Sequence, residues 1–501
     1  MLFNSLEFLL FFPIFTVLYF VLPYKYRRQY LLAASLFFYI CYSPKYLILL
    51  MFSTYISWYS ARKIAATDND FEKRFYLLTG VILNVLQLGL IKYLNFVDDN
   101  VRLLVDSIGF HYPVPEPWFN TILLPVGISF YTFHTLAYNI DVYKGITPVE
   151  KRFWFYTLFV SYWPQLLAGP IPRANQLIPE LRKDSDYDYE RLRSGLIRML
   201  YGFFKKIVIA DRLSMYVKAV YENYDQASGW TIVMGAVFFV FQVYCDFSGY
   251  SDIAIGASRI LGINLMENFK RPFYAKNLAD FWTRWHISLS TWLTDYIFFY
   301  LGAYKASGLK VVFNVIFVLT ICGLWHGANW PMVLSFTVIG IFMAIRYLWQ
   351  YNVVSQIKPS NLYKAFDRYI PDSVHIATTF VLLTYAFMLF RVQGAVEALA
   401  VKGKIVSWTE ISGALYTKVM HLHQAAFMHE VIYSKGLINF ILAVFFMLFL
   451  YIVEGIVGDR RTEDVIATQR KPLRWAAYIF MLLSIAWFGV FNENEFVYFQ
   501  F

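Results

Sequence analysis

Charged side chains are scarce in this chain: they make up 16% of 501 residues, against about a quarter in an ordinary soluble domain. Cysteine is scarcer still. Cys41, Cys245 and Cys322 lie far apart, each within or beside an apolar run, which excludes a disulfide framework and gives no metal-ligand spacing. The polar–apolar alternation of a membrane β-barrel is missing, as is any internal repeat of the kind that marks inverted-repeat transporters. The opening stretch MLFNSLEFLLFFPIFTVLYFVLPYKYRR has no basic n-region and no small-residue cleavage site. It therefore reads as a retained first span and not as a signal peptide.

What the chain has in excess is apolar surface, with 58% hydrophobic and 20% aromatic residues. The excess falls in blocks of roughly 17 to 22 residues, the length a helix needs to cross a ~30 Å hydrocarbon layer. Only helices and closed barrels satisfy the backbone in lipid, so the expected fold is an all-α polytopic membrane protein. Spans are expected near 6–22, 30–42, 45–61, 76–92, 120–140, 153–168, 195–220, 231–248, 287–302, 311–327, 331–349, 375–391, 436–456 and 473–490. Some of these are short or interrupted, so the expectation is roughly 11 to 13 crossings plus re-entrant and interfacial helices. One membrane domain should cover 1–501.

The net charge of +10 lies between the apolar blocks, where topology signals belong, and does not point to a nucleic-acid partner. Lys25, Arg27 and Arg28 follow the first span, and Arg62, Lys63, Lys73 and Arg74 follow the third, within a cytoplasmic loop expected over 62–75. The basic stretch GDRRTEDVIATQRKPLR precedes the last span and the acidic, aromatic FNENEFVYFQF follows it. Both termini are therefore expected outside. The amphipathic segment DYERLRSGLIRMLYGFFKKIVIADRL reads as a helix at the cytoplasmic interface.

Four places combine polar groups with apolar surroundings. His326 lies in VVFNVIFVLTICGLWHGANWPMVLSF, and an ionisable group at such depth is a functional candidate. Gly327, Asn329 and Pro331 indicate a helix break directly after it, and histidine suits general-base work near neutral pH. The second place, 269–301, gathers Lys270, Arg271, Lys276, Arg284, Trp282, Trp285, His286 and Asp295 ahead of an apolar stretch. It is either an interfacial anchor or a vestibule whose cations meet a phosphorylated donor. Asp280, Arg284 and His286 cannot share one helix face. The third is YCDFSGYSDIAIGASRILGINLMENF, where Asp246, Ser248 and Asp252 interrupt an apolar run and either orient a donor or cap a broken helix. The fourth is the terminal FVYFQF, a membrane-interface anchor or a segment presenting Tyr498 as a nucleophile. His134, His111, His375, His421, His423 and His429 read as structural, and no metal site is expected.

These segments together resemble the membrane-bound O-acyltransferase family, in its bacterial branch of alginate and peptidoglycan O-acetyltransferases. The resemblance rests on LLPVGISFYTFHTLAYNIDVYKG, PQLLAGPIPR, YCDFSGYSDIAIGASRILG, NFKRPFYAKNLADFWTRWHISLSTWL, GLWHGANW and FVYFQF, which occur in the family's order over nearly the whole chain. Thr283 stands where relatives often carry arginine. The resemblance implies a helical fold around a central tunnel in the bacterial inner membrane. It also implies an acetyl group drawn from cytoplasmic acetyl-CoA, a donor substrate and not a resident cofactor. His326 corresponds to the signature histidine and His286 to the second one. Tyr498 is then the residue that holds the acetyl group before an extracytoplasmic SGNH-like acetyltransferase or a polymer-synthesis partner accepts it. Arg271, Arg284, Trp285, Asp246, Ser248 and Asn329 become substrate-binding candidates. In the mechanism that follows, His326 takes a proton from Tyr498 while His286 positions or polarises the thioester. D-alanyl transfer to teichoic acid is the alternative inside the family. A transporter or flippase is the alternative outside it.

Overall fold

The computed structural model describes residues 1–42, 44–110, 125, 127–167, 169–303, 308–349, 371–401, 404, 406–420, 436–491 and 496, and among them regular structure is entirely helical. Among the described residues six helices are long and apolar enough to cross a membrane: Asp70–Ser107, Gly229–Ile260, Gly308–His326, Trp330–Leu348, Asp372–Glu397 and Leu437–Val457. Leu6–Val21 is apolar but shorter. The chain is an all-α polytopic membrane protein.

It folds as two compact units. The first comprises Met1–Met199 and Ile253–Met266. Trp163 sits at the centre of one aromatic cluster there, with the rings of Phe3, Phe8, Phe11, Phe12, Phe15 and Phe38 within about 6 Å of it. A second cluster is polar. Ser57 bonds the Thr135 carbonyl at 3.1 Å and the Tyr156 hydroxyl at 2.7 Å, while Thr135 Oγ1 donates to Asn84 Oδ1 at 3.2 Å. In lipid, bonds of this kind between helices supply cohesion that apolar surface alone does not. The loop expected over 62–75 shrinks to the link between helices Leu47–Ala66 and Asp70–Leu88. Asn69 begins the second helix by accepting the Phe71 N–H, so the charges around it ride on helix ends.

The second unit comprises Leu200–Asp252 and Glu267–Phe501. A wide π-helical turn, Phe204–Ala210, sets Lys205 and Lys206 side by side, both buried. Lys205 Nζ bonds Ser248 Oγ at 2.8 Å and pairs with Asp252, while Lys206 Nζ lies 2.7 Å from Asp246 and 2.9 Å from Asp211. Gly249 permits this approach, because a Cβ there would come within 2.7 Å of the Gly202 carbonyl oxygen. Two expectations are corrected as a result. The helix Gly229–Ile260 runs unbroken through Asp246, Ser248 and Asp252, which neither end it nor cap it. The lysines of GFFKKIVIA lie inside the protein and not at a solvated interface. The physical reason is the same in both cases: each polar group finds its partner on the other helix, so none needs water.

Candidate active site

His326 is the last residue of the helix Gly308–His326. The chain turns there as the sequence indicates. Asn329 caps the helix Trp330–Leu348, its Oδ1 accepting the Met332 N–H at 3.0 Å, and Pro331 occupies the first turn, where a missing N–H costs nothing. Gly323 lets the two helices close, since a Cβ there would lie 2.7 Å from the Met332 carbonyl oxygen and 3.0 Å from Phe336 Cβ. The imidazole that results is buried. It stacks on Phe336 at 4.7 Å and meets Trp325 edge-on at 4.9 Å.

His286 reaches the same place from a different part of the chain. It links helices Leu278–Arg284 and Ile287–Leu293 with φ 44° and ψ 52°, in the left-handed region. That conformation costs a non-glycine residue about 1–2 kcal/mol and persists only where the surroundings over-determine it. Here the Lys270 N–H donates to the Arg284 carbonyl and the Ile287 N–H to the Asn268 carbonyl, each at 2.9 Å. Asn268 Oδ1 lies 3.2 Å from His286 Nδ1, and the Phe247 ring meets the imidazole edge-on at 4.6 Å. The rings of His286 and His326 stand 6.3 Å apart, centroid to centroid.

The remaining candidates divide. Arg271 binds Asp459 Oδ1 through Nη2 at 2.7 Å, and Arg284 Nη1 lies 3.6 Å from the same oxygen. The hydrogen bond from Arg271 holds the Asp459 carboxyl below the usual carboxylate range. The two arginines therefore form one exposed-side cluster. Arg284 is also paired with Asp280 one turn back, and the helix ends before His286. Trp285 is buried among Phe269, Phe281 and Phe387. Asp246 and Ser248 engage Lys206 and Lys205 and do not join the arginines. Phe496, the first residue of the terminal hexapeptide, is buried against Phe247 and Tyr250 at 5.5 and 5.2 Å. One aromatic ring thus separates it from His286. Tyr498, His111, His421, His423 and His429 lie outside the described residues.

Residues 150–359, which carry both histidines, match the model of the membrane-bound O-acyltransferase family, MBOAT. The chain is 37% identical over 350 residues to the probable alginate O-acetylase AlgI of Azotobacter vinelandii, covering 69% of this chain and 68% of that protein. It is 30% identical over 507 residues to the peptidoglycan O-acetyltransferase of Helicobacter pylori, covering 95% and 91%. The chain belongs to the membrane-bound O-acyltransferase family. A more distant relative is the teichoic acid D-alanyltransferase of Bacillus subtilis, 26% identical over 301 residues, covering 56% and 71%. The protein is a membrane-bound acyltransferase of the bacterial O-acetyltransferase branch.

Two residues packed around His286 escape a reading of the sequence. Asn268 and Ser288 hold His286, and no periodicity marks either of them. Glu454, which accepts the Tyr244 hydroxyl proton inside the helix Leu437–Val457, did leave a signal, because a carboxylate in an otherwise apolar span is costly unless partnered. The glycine beneath His326 gives a direct prediction. Gly323→Ala forces apart the two helices that set the imidazole, so both thermal stability and acyl transfer should fall together. A melting curve of the purified variant, run beside an activity assay, checks this; unchanged values for both would contradict the tight approach.

Proposed function

We propose that this acyltransferase takes an acetyl group from cytoplasmic acetyl-CoA and passes it across the inner membrane for O-acetylation of a cell-envelope or secreted polysaccharide. The observation that carries the reading is that His286 stands 6.3 Å from His326 and shares the Phe247 ring with Phe496, so three distant points of the chain come together. The names of the alginate and peptidoglycan relatives support the acetyl group and the polysaccharide acceptor.

Two imidazoles in direct hydrogen bond would place their centroids about 5 Å apart. At 6.3 Å the two rings do not bond each other directly. In the proposed reaction the Tyr498 hydroxyl is the nucleophile. His326 takes the phenolic proton, the tyrosine oxygen attacks the thioester carbonyl carbon, and the C–S bond breaks. Coenzyme A departs as the thiol with the proton that His326 held, and the tyrosine carries an acetyl ester. Phe247, Trp325 and Phe336 line the histidines and keep water from the thioester. Arg271 and Arg284 offer the cationic side that coenzyme A phosphates need, exchanging Asp459 for phosphate. An extracytoplasmic SGNH-like acetyltransferase or polymer-synthesis partner would then remove the acetyl group.

The test is mass spectrometry of purified protein quenched after exposure to isotope-labelled acetyl-CoA. A labelled acetyl ester on Tyr498 is expected, and it should vanish in Tyr498→Phe. Label appearing only on other residues would overturn the relay.

A further inference from the structure

We propose that Asn268 is a positioning residue that holds His286 as its Nδ1–H tautomer, so that Nε2 meets the reacting groups as a proton acceptor. The inference rests on the reading above in one respect, that His286 serves acyl transfer. It decides between two roles for that ring, positioning and polarising.

The orientation of the Asn268 carboxamide is fixed by a group that has only one option. The backbone N–H of Ser288 can donate and cannot accept, and it lies 3.3 Å from Asn268 Oδ1, which marks that atom as oxygen. The Ser288 hydroxyl donates to the same oxygen at 2.9 Å. The amide nitrogen is turned the other way and donates to Ser251 Oγ at 3.2 Å. All three supporting side chains, Asn268, Ser288 and Ser251, are buried, so water does not scramble these roles.

His286 Nδ1 then faces an atom with no proton to give, 3.2 Å away. Its other near neighbour, Ser288 Oγ at 3.5 Å, already gives its proton to Asn268. A hydrogen bond at Nδ1 therefore requires that Nδ1 carry the proton. A ring sealed beside Phe247 and Trp325 is held neutral by the cost of burying charge, and a neutral imidazole has one N–H. Nε2 is left with the lone pair. The Asn268 backbone carbonyl adds to the grip by accepting the Ile287 N–H at 2.9 Å, so one residue holds both the strained backbone of His286 and its ring.

The chemical consequence is specific. A thioester carbonyl oxygen accepts hydrogen bonds, and so does Nε2 in this tautomer, so His286 does not polarise the carbonyl by donation. Its partner must bring a proton, as the coenzyme A thiol does once it has received the proton that His326 held.

The experiment pairs spectroscopy with kinetics on the full-length protein in detergent. With ¹⁵N-imidazole-labelled histidine, and His286→Gln to assign the signal, wild-type His286 should show a protonated Nδ1 and a bare Nε2. Asn268→Leu should lose that signature and lower kcat by about 10²-fold, the scale of a small misplacement of a reacting group, with KM for acetyl-CoA unchanged. Asn268→Asp, which keeps the acceptor oxygens, should recover both signature and turnover. A protonated Nε2 in the wild type overturns the assignment, and so does Asn268→Leu with wild-type kcat. Should Asn268→Leu fail to fold, the wild-type spectrum alone decides. Full activity in His286→Ala would instead overturn the underlying role of His286, which separates the two failures.

Discussion

Acyl transfer should fall by about 10²- to 10⁴-fold when His326 becomes alanine, the range spanned by loss of a positioned general base. The fold should survive. His326 ends its helix, so no hydrogen-bonded turn follows that its removal would unwind, and the break is set by Gly327, Asn329 and Pro331. What the substitution removes is the ring stacked on Phe336 and 6.3 Å from His286. His326→Gln fills much of the same volume and still hydrogen-bonds, but it cannot take a proton, so it should lose nearly as much activity as alanine. Release of free coenzyme A thiol, followed with a thiol-reactive dye in a single turnover, measures the rate, and size-exclusion chromatography reports the fold. Wild-type thiol release from a monodisperse His326→Ala protein would remove the base from the mechanism.

The largest expected effect on stability belongs to Lys206. Its ammonium lies between the carboxylates of Asp211 and Asp246, all three buried. Removing one member of such a group costs about 3–5 kcal/mol, because buried charge is left without the opposite charge that neutralised it. Lys206→Met keeps the aliphatic stem and deletes the charge, leaving two carboxylates facing each other. The purified variant should lose its monodisperse peak after mild heating that leaves the wild type intact. Adding Asp246→Leu should recover part of the loss, since an apolar replacement of a buried pair is often tolerated. A Lys206→Met protein as heat-resistant as the wild type would mean that these charges contribute nothing net.

A polar group is legible in the sequence only when its partner lies nearby in the chain. The helix break after His326 was legible because its neighbours supply it: a glycine, a capping asparagine and a proline that follow an apolar run. The residues themselves marked His286 and the tail, and the family resemblance gave them their expected roles. The role of Asp246, Ser248 and Asp252 was not legible, because the lysines that neutralise them belong to another helix. Without those partners, three polar residues resemble the end of a span, and a helix that continues to Ile260 reads as one that stops at 248. Asn268 was hidden for a different reason. Its contact with His286 depends on a left-handed backbone at 286 and on the pairing of 268–270 with 284–287, neither of which leaves a periodic trace.

The buried lysine–aspartate pairs also bear on how the chain enters the bilayer. On an insertion scale, an isolated Lys or Asp near the centre of a helix costs about 2.5 to 3.5 kcal/mol. The segment with Lys205 and Lys206 and the helix with Asp246 and Asp252 are therefore each poor candidates for lateral release into lipid one at a time. Joined, the two segments neutralise each other's charges. An insertion route that releases them together, as a helical hairpin, would spare either charge from meeting lipid alone.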